Sequence, residues 1–457
     1  MEDKTRVLGE KPVGKLLVEF SIPAIVGTVA NSLYTIIDRL FVGNVVGADA
    51  IAGMSLTMPI SFVIMAFGML IGVGSGSLIS IRLGENKKEE AEKILGNAFM
   101  LSLIISVVVS GIFLLTLNPL LTHFGASPKT LPYARQFISI ILYGSLFQYL
   151  SFGLSAVIRA EGNPRVAMGV MLINAGINIV LDFIFIYLLG FGLRGTAVAT
   201  VISQAVSATW VLLYFRGKTS VLKLRGRNMA LQMNILKGIF AIGMAPFFMQ
   251  LIASVVNILY NRGLAQYGGD AAIGAFGIIN TITMFILMPI FGINQGAQPI
   301  IGYNYGALEF GRVKKTLKLA IIAATGIVTF GFVLTEVFPA QVLGAFTSDE
   351  ELIDIGIDGM RIFLLALPIV GLQIVSANFF QAIGKAFKAL MLSMLRQVIV
   401  LIPTLIIMPH FFGLEGVWIA SPISDVVASL ITVLVLLPEM RILGQKEQEM
   451  LRKPRPE

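Results

Sequence analysis

Cysteine is absent from this 457-residue chain, histidine and tryptophan each occur twice, and charged residues make up only 13%. Without cysteine there is no disulfide framework, no thiolate nucleophile and no Cys-ligated metal or cluster. The two histidines, His123 and His410, are too few and too far apart for a His-rich metal centre. No HExxH pattern or close Ser/His/Asp group occurs. The run Gly72-Val73-Gly74-Ser75-Gly76 follows no strand and leads into no Lys-Ser or Lys-Thr, so it is not a phosphate loop. Neither an enzyme nor a resident cofactor is expected. A soluble domain carries about 25% charged and roughly 45–50% apolar residues, whereas the apolar share here is 56%. A larger core does not explain the excess, because even a chain near 300 residues keeps much surface in water. Disorder needs the opposite composition. The solvent of this chain is mostly lipid.

What the sequence does have is long apolar runs separated by short charged clusters. Spans are expected near 15–40, 52–81, 94–117, 135–158, 166–190, 193–215, 236–260, 271–300, 317–338, 356–380, 387–409 and 414–438. Most reach the roughly 20 residues a helix needs to cross about 30 Å of hydrocarbon. The fold class is thus an all-α polytopic membrane protein of twelve transmembrane helices; barrel strands of about 10 alternating residues do not fit. The runs 52–81 and 271–300 are long enough to tilt or break. Pro23, Pro59, Pro246, Pro289, Pro299, Pro368 and Pro403 lie where they bend helices. With the N-terminus inside, 27 of the 34 Lys and Arg fall on inside segments. They include Lys4, Arg6, Lys11 and Lys15 before the first span, the cluster from Arg216 to Lys237, and Lys453 and Arg455 in the tail. This bias predicts a cytoplasmic (inner) membrane protein with both termini cytoplasmic. The net charge of +8 serves topology and leaves no nucleic-acid footprint. Behind the first apolar run there is no small-residue cleavage site.

The chain repeats itself at an offset of 220–223 residues. Pro23 matches Pro246, Asp38-Arg39 matches Asn261-Arg262, Gly162 matches Gly384, and Gly192-Leu193-Arg194-Gly195 matches Gly413-Leu414-Glu415-Gly416. Six spans per repeat is an even number, so both halves enter the membrane from the same side. The expected organisation is a six-helix lobe over 15–215, a cytoplasmic linker over 216–235 and a second six-helix lobe over 236–438. The two parallel bundles would be related by a pseudo-twofold axis along the membrane normal. Facing bundles with substrate between them are a transporter geometry, and no channel filter signature is present.

Ionisable groups at membrane depth are expensive and mark function. Asn31, Tyr34 and Asp38 share one face of the first span, and Asn174, Asn178 and Asp182 form a stripe on the fifth. With Thr200 of the sixth span they supply two carboxylates, an amide carbonyl and a hydroxyl, hard donors that suit a small cation. Two carboxylates in a low dielectric cannot both stay charged cheaply, so the same pair suits a proton. Na⁺ and H⁺ both fit as the coupling ion. At the repeat offset, Asn261, Thr404 and Val400 stand opposite Asp38, Asp182 and Asn178, and Arg396 opposite Asn174. The second half has exchanged the two carboxylates for a cation, so coupling is expected in the first half alone. Neutral groups there (Gln373, Asn257, Asn378) and a deformable wall that includes Met244, Met249, Met284 and Met288 are candidates for lining the cleft. Small amphipathic or cationic substrates and membrane lipids are the expected partners, with one chain sufficing.

Several runs together resemble the multidrug and toxic compound extrusion (MATE) family over nearly the whole chain. They are Pro23 with Tyr34-Thr35-Ile36-Ile37-Asp38-Arg39-Leu40-Phe41-Val42-Gly43, Arg159 to Pro164, Asn178 to Asp182, Gly192 to Thr200, and Gly296 to Gly306. The resemblance implies an Na⁺- or H⁺-driven exporter of cationic, amphipathic compounds. On the prokaryotic DinF-like and MepA-like side, it implies a cation site at Asp38, Asn178, Asp182 and Thr200 and a first helix that bends at Pro23. Residues 236–260 hold no Asp or Glu, unlike the branches that place an acid in the seventh helix. A flippase for a lipid-linked or amphipathic anion is the alternative, with Arg396 and the basic inner loops in its favour.

Overall fold

The computed structural model describes residues 5–347 and 349–452, so Lys4, Lys453 and Arg455 lie outside the described residues. In hydrocarbon each backbone N–H must find its partner within its own segment, and the apolar runs are accordingly helices. The described residues contain no strand. Nine helices among them are long and apolar enough to cross a membrane, or ten if one bent pair is a single span. They are α1 (Val13–Val45), α2 (Met58–Gly84), α3 (Lys88–His123), α4 (Leu131–Ala160), α5 (Pro164–Leu188), α6 (Gly192–Arg216), α7 (Met233–Gly306), α8 (Phe310–Val337) and α11 (Ala386–Met450). The bent pair is α9 (Glu350–Phe363) with α10 (Leu367–Ala382), at 52° to each other.

The expected spans differ from these in four places. The run 52–81 is interrupted at Thr57, which separates a short helix, Ala48–Leu56, from α2. The run 356–380 is not one straight span: it breaks at 364–366, and Pro368 sits in the first turn of the helix that follows, where its missing N–H costs nothing. Two pairs of spans are each continuous helix except at one residue, Gly269 (φ 66°) in α7 and Gly413 (φ 57°) in α11. A left-handed glycine redirects the chain at little steric cost while its neighbours keep helical bonds. Short π-helical stretches lie at Tyr149–Gly153, at Phe183–Leu188 and at Leu395–Leu401.

One apolar core runs through both halves. Large apolar side chains such as Val107, Leu115, Phe330, Phe387 and Leu434 remain exposed, as lipid-facing surface would. The halves meet chiefly where α7 packs on α2 and α1. A Cβ on Gly84 would sit 2.0 Å from the Tyr303 carbonyl, and one on Gly306 would sit 2.1 Å from the Ile81 carbonyl. These contacts are the same contact seen from each half, since 84 and 306, and 81 and 303, are repeat mates. A pseudo-twofold contact is self-complementary in this way. Residues 21–25 of α1, around the buried Pro23, press in turn on Gly292 and Gly296 of α7.

The segment after α6 is strapped to the first half. Buried Glu161 accepts from Tyr214 Oη, from Ser220 Oγ (2.9 Å) and from the Leu222 amide (3.1 Å). Burial pushes the Glu161 carboxyl up, and these bonds pull it back. Glu92 holds the Lys223 amide and Arg225, while Asn97 holds Ala230 and Gln232. Across the halves, Asn304 and Arg312 donate to the Leu8 carbonyl, and Arg312 also to that of Lys11.

Candidate ion-coupling site

The sequence places the two acids twenty-odd and eighteen residues into their helices, and the packing of α1 along α5, and of α5 along α6, brings them together. Asp38 and Asp182 are electrostatic neighbours; Thr196 of α6 adjoins Asp38, and Tyr34 lies within reach of both acids. All four of Asp38, Asn178, Asp182 and Thr196 are buried, the last three completely. Asn178 Nδ2 donates to Thr200 Oγ1 (3.3 Å), which occupies the amide's donor end and leaves Oδ1 free. Five buried oxygens then make no hydrogen bond of ordinary geometry, Asp38 Oδ1, both of Asp182, Asn178 Oδ1 and Thr196 Oγ1, with Thr196 and Asp182 near enough to Asp38 to act on its carboxyl. Each orphaned buried acceptor costs about 1–3 kcal/mol, more when charged. The donor set therefore fits a small cation or a shared proton, species that turn the cost into binding free energy.

The surroundings direct access to the site. One turn beyond the acids, Val42, Ile186, Leu193 and Ala50 form a small apolar cluster of their own. Val42 follows Asp38, Ile186 follows Asp182 and Leu193 precedes Thr196, so the cluster caps the acids toward the far ends of α1 and α5. Directly after Asp182 the helix changes to π geometry, a distortion frequent at functional sites.

Of the other expected residues, Asn174 contributes a further unpartnered Oδ1, Tyr34 is half-buried and Asn31 is exposed. Thr196 was not singled out from the sequence. Its signal is its position one turn before Thr200 on the same face.

The second half differs from expectation. Arg396 is not an isolated cation: its Nε bonds Asp425 Oδ1 at 2.7 Å, and Asp425 is buried. The half thus keeps an intramembrane acid, neutralised by its own guanidinium. The repeat comparison passes over it because the mate of Asp425 is Ser203; the signal was an aspartate in the middle of the 414–438 run. Asn257 bonds the Ala253 carbonyl of its own helix, Asn378 bonds the Asn294 carbonyl, and Gln373 is buried, so these act in part as ties within the half. Met284 is exposed, and Met244, Met249 and Met288 are half-buried. No group of three or more His, Cys, Asp or Glu that would hold a metal occurs among the described residues.

Comparison with known proteins places the chain as a whole. The MatE family model matches residues 23–184 and again 246–406, one match in each half. The chain is similar to the multidrug export protein MepA of Staphylococcus haemolyticus, at 29% identity over 93% of this chain and 94% of that protein. MepA of Staphylococcus aureus is 29% identical over 95% and 96%. Among solved structures, a MOP superfamily transporter from Pyrococcus furiosus superposes with a TM-score of 0.91 at 27% identity, over 97% of this chain and 99% of that one. A MATE transporter in the bent conformation superposes at 0.92, also 27% identical, over 98% and 100%.

Proposed function

The chain belongs to the MatE family of membrane transporters, and from that premise we propose that it is an ion-coupled antiporter exporting cationic or amphipathic organic compounds across the cytoplasmic membrane. It is a transporter and not an enzyme. The coupling ion is Na⁺ or H⁺, held by Asp38, Asp182, Asn178 and Thr196, with Thr200 orienting the amide. The observation that carries this reading is the pair of buried, neighbouring carboxylates in the first half, Asp38 and Asp182, with unpartnered oxygens beside Asn178 and Thr196.

The architecture taken with it is twelve spans in two parallel six-helix lobes, 15–215 and 236–438, joined by 216–235. Dividing α7 at Gly269 and α11 at Gly413, and counting α9 with α10 as one, gives that number. With both termini cytoplasmic, the close contacts at Gly84, Gly306, Gly296 and Leu8 fall in the inner half of the membrane, and the cleft opens outward. Occupancy of the acid pair neutralises the first lobe and lets α1 shift against α5. Pro23 sits where α1 presses on α7, so bending there moves the Asp38 arm while the inner contact stays fixed. Substrate released outside is replaced from the cytoplasm or inner leaflet after the lobes rock. Ion and substrate are coupled only as far as each binds one state better. One chain suffices for the cycle.

The flippase alternative drew on Arg396 as a cationic cavity, and the Asp425 partner removes that net charge. The exporter reading predicts dye efflux from proteoliposomes under an imposed Na⁺ or pH gradient applied singly. Efflux that proceeds equally with neither gradient would overturn it.

A further inference from the structure

Arg396 occupies the second residue of the π-helical stretch Leu395–Leu401, about midway along the 386–412 arm of α11. Asp425 lies about midway along the 414–438 run that follows. Ser424 Oγ donates to the Arg396 carbonyl (2.6 Å), which ties the two arms together at that level. Only Nε of the guanidinium is engaged, by Asp425. Its two terminal nitrogens have no hydrogen-bond partner among the described residues, and neither is sealed from the molecular surface. A guanidinium presenting free N–H groups to lipid at mid-depth would be very costly. Facing the cleft expected between the halves, and not lipid, is the orientation that avoids this cost. Tyr260, buried with Ser421 beside its hydroxyl, lies within electrostatic reach of both charges. It stacks on Phe276 at 4.7 Å, which in turn adjoins Trp418.

We propose that Arg396, held in place by Asp425, is a recognition point for a carboxylate on the transported compound. This inference rests on the exporter reading and narrows its substrate class to include zwitterions. Engaging Nε with Asp425 fixes the plane of the guanidinium and leaves the planar edge suited to a second carboxylate. The ion pair neutralises Arg396 in the empty state, so a carboxylate alone adds one negative charge, whereas a zwitterion adds none. The aromatic group beside it suits the apolar body of such a compound.

The test compares rhodamine B with its ethyl ester, which differ by one free carboxylate, by fluorescence anisotropy on the purified full-length protein in neutral phosphatidylcholine nanodiscs. Arg396→Gln is expected to weaken rhodamine B binding about tenfold or more and to leave the ester within about twofold. The charge-balanced Arg396→Gln/Asp425→Asn variant should behave likewise, which separates recognition from damage done by an unpaired buried acid. Equal loss for both dyes, rhodamine B binding that survives in the double variant, or no advantage of the carboxylate in the wild type would each overturn the inference. Binding of the ester by the wild type in those cases leaves the exporter reading standing; if the wild type binds neither dye, both readings fall.

Discussion

At the scale of single residues, the first half gathers oxygen acceptors in one buried place. Asn178 illustrates how this is arranged: Thr200 takes its amide hydrogens, so its carbonyl oxygen is left beside the acids. Thr196 completes the set and is the residue least visible beforehand. Replacing it with Val removes one ligand oxygen and leaves the volume nearly unchanged. The ion concentration giving half-maximal efflux is expected to rise about tenfold, the equivalent of a charge-assisted bond, while Thr196→Ser restores it. An unchanged ion dependence in Thr196→Val would remove Thr196 from the site. Asp38, Asp182 and Asn178 were legible in the sequence because ionisable groups in apolar runs are conspicuous and their spacing fixes the face. Asp425 was equally conspicuous, but its partner Arg396 comes from another helix arm, and only the folded chain shows that the two charges cancel.

At the scale of elements, the interface between halves depends on glycine where backbones touch. Gly84 and Gly306 are repeat mates making the same contact, so alanine at either should push the halves apart at that end. With no native cysteine, the pair Lys88→Cys and Glu309→Cys can carry the only spin labels. Gly84→Ala and Gly306→Ala are each expected to add a longer distance population between the labels. Gly176→Ala, which meets nothing within 4 Å, should add none. Unchanged distances in both interface variants would mean that the contact does not hold the halves in this state. The existence of the helices was readable from apolar length, and the repeat was readable from motif spacing. The exact breaks were not. Gly269 and Gly413 look like ordinary loop glycines in sequence, yet each turns a helix within a single residue. The bend between α9 and α10 falls just after Arg361, and the apolar sequence continues unbroken across it.

At the scale of the whole molecule, two similar halves carry different chemistry. The first holds two carboxylates with unpartnered oxygens; the second holds a neutral Arg396–Asp425 pair beside an aromatic group. The segment after α6 is anchored to the first half by Glu92, Asn97 and Glu161 as far as Gln232, the residue before α7. In the proposed cycle, an ion bound in the first half acts on a unit that includes this segment. The decisive measurement is gradient-driven dye efflux from proteoliposomes containing the Asp38→Asn/Asp182→Asn double variant, with dye binding measured in parallel. The account predicts that efflux no longer responds to either gradient while dye binding persists. Gradient-driven efflux at the wild-type rate would contradict it.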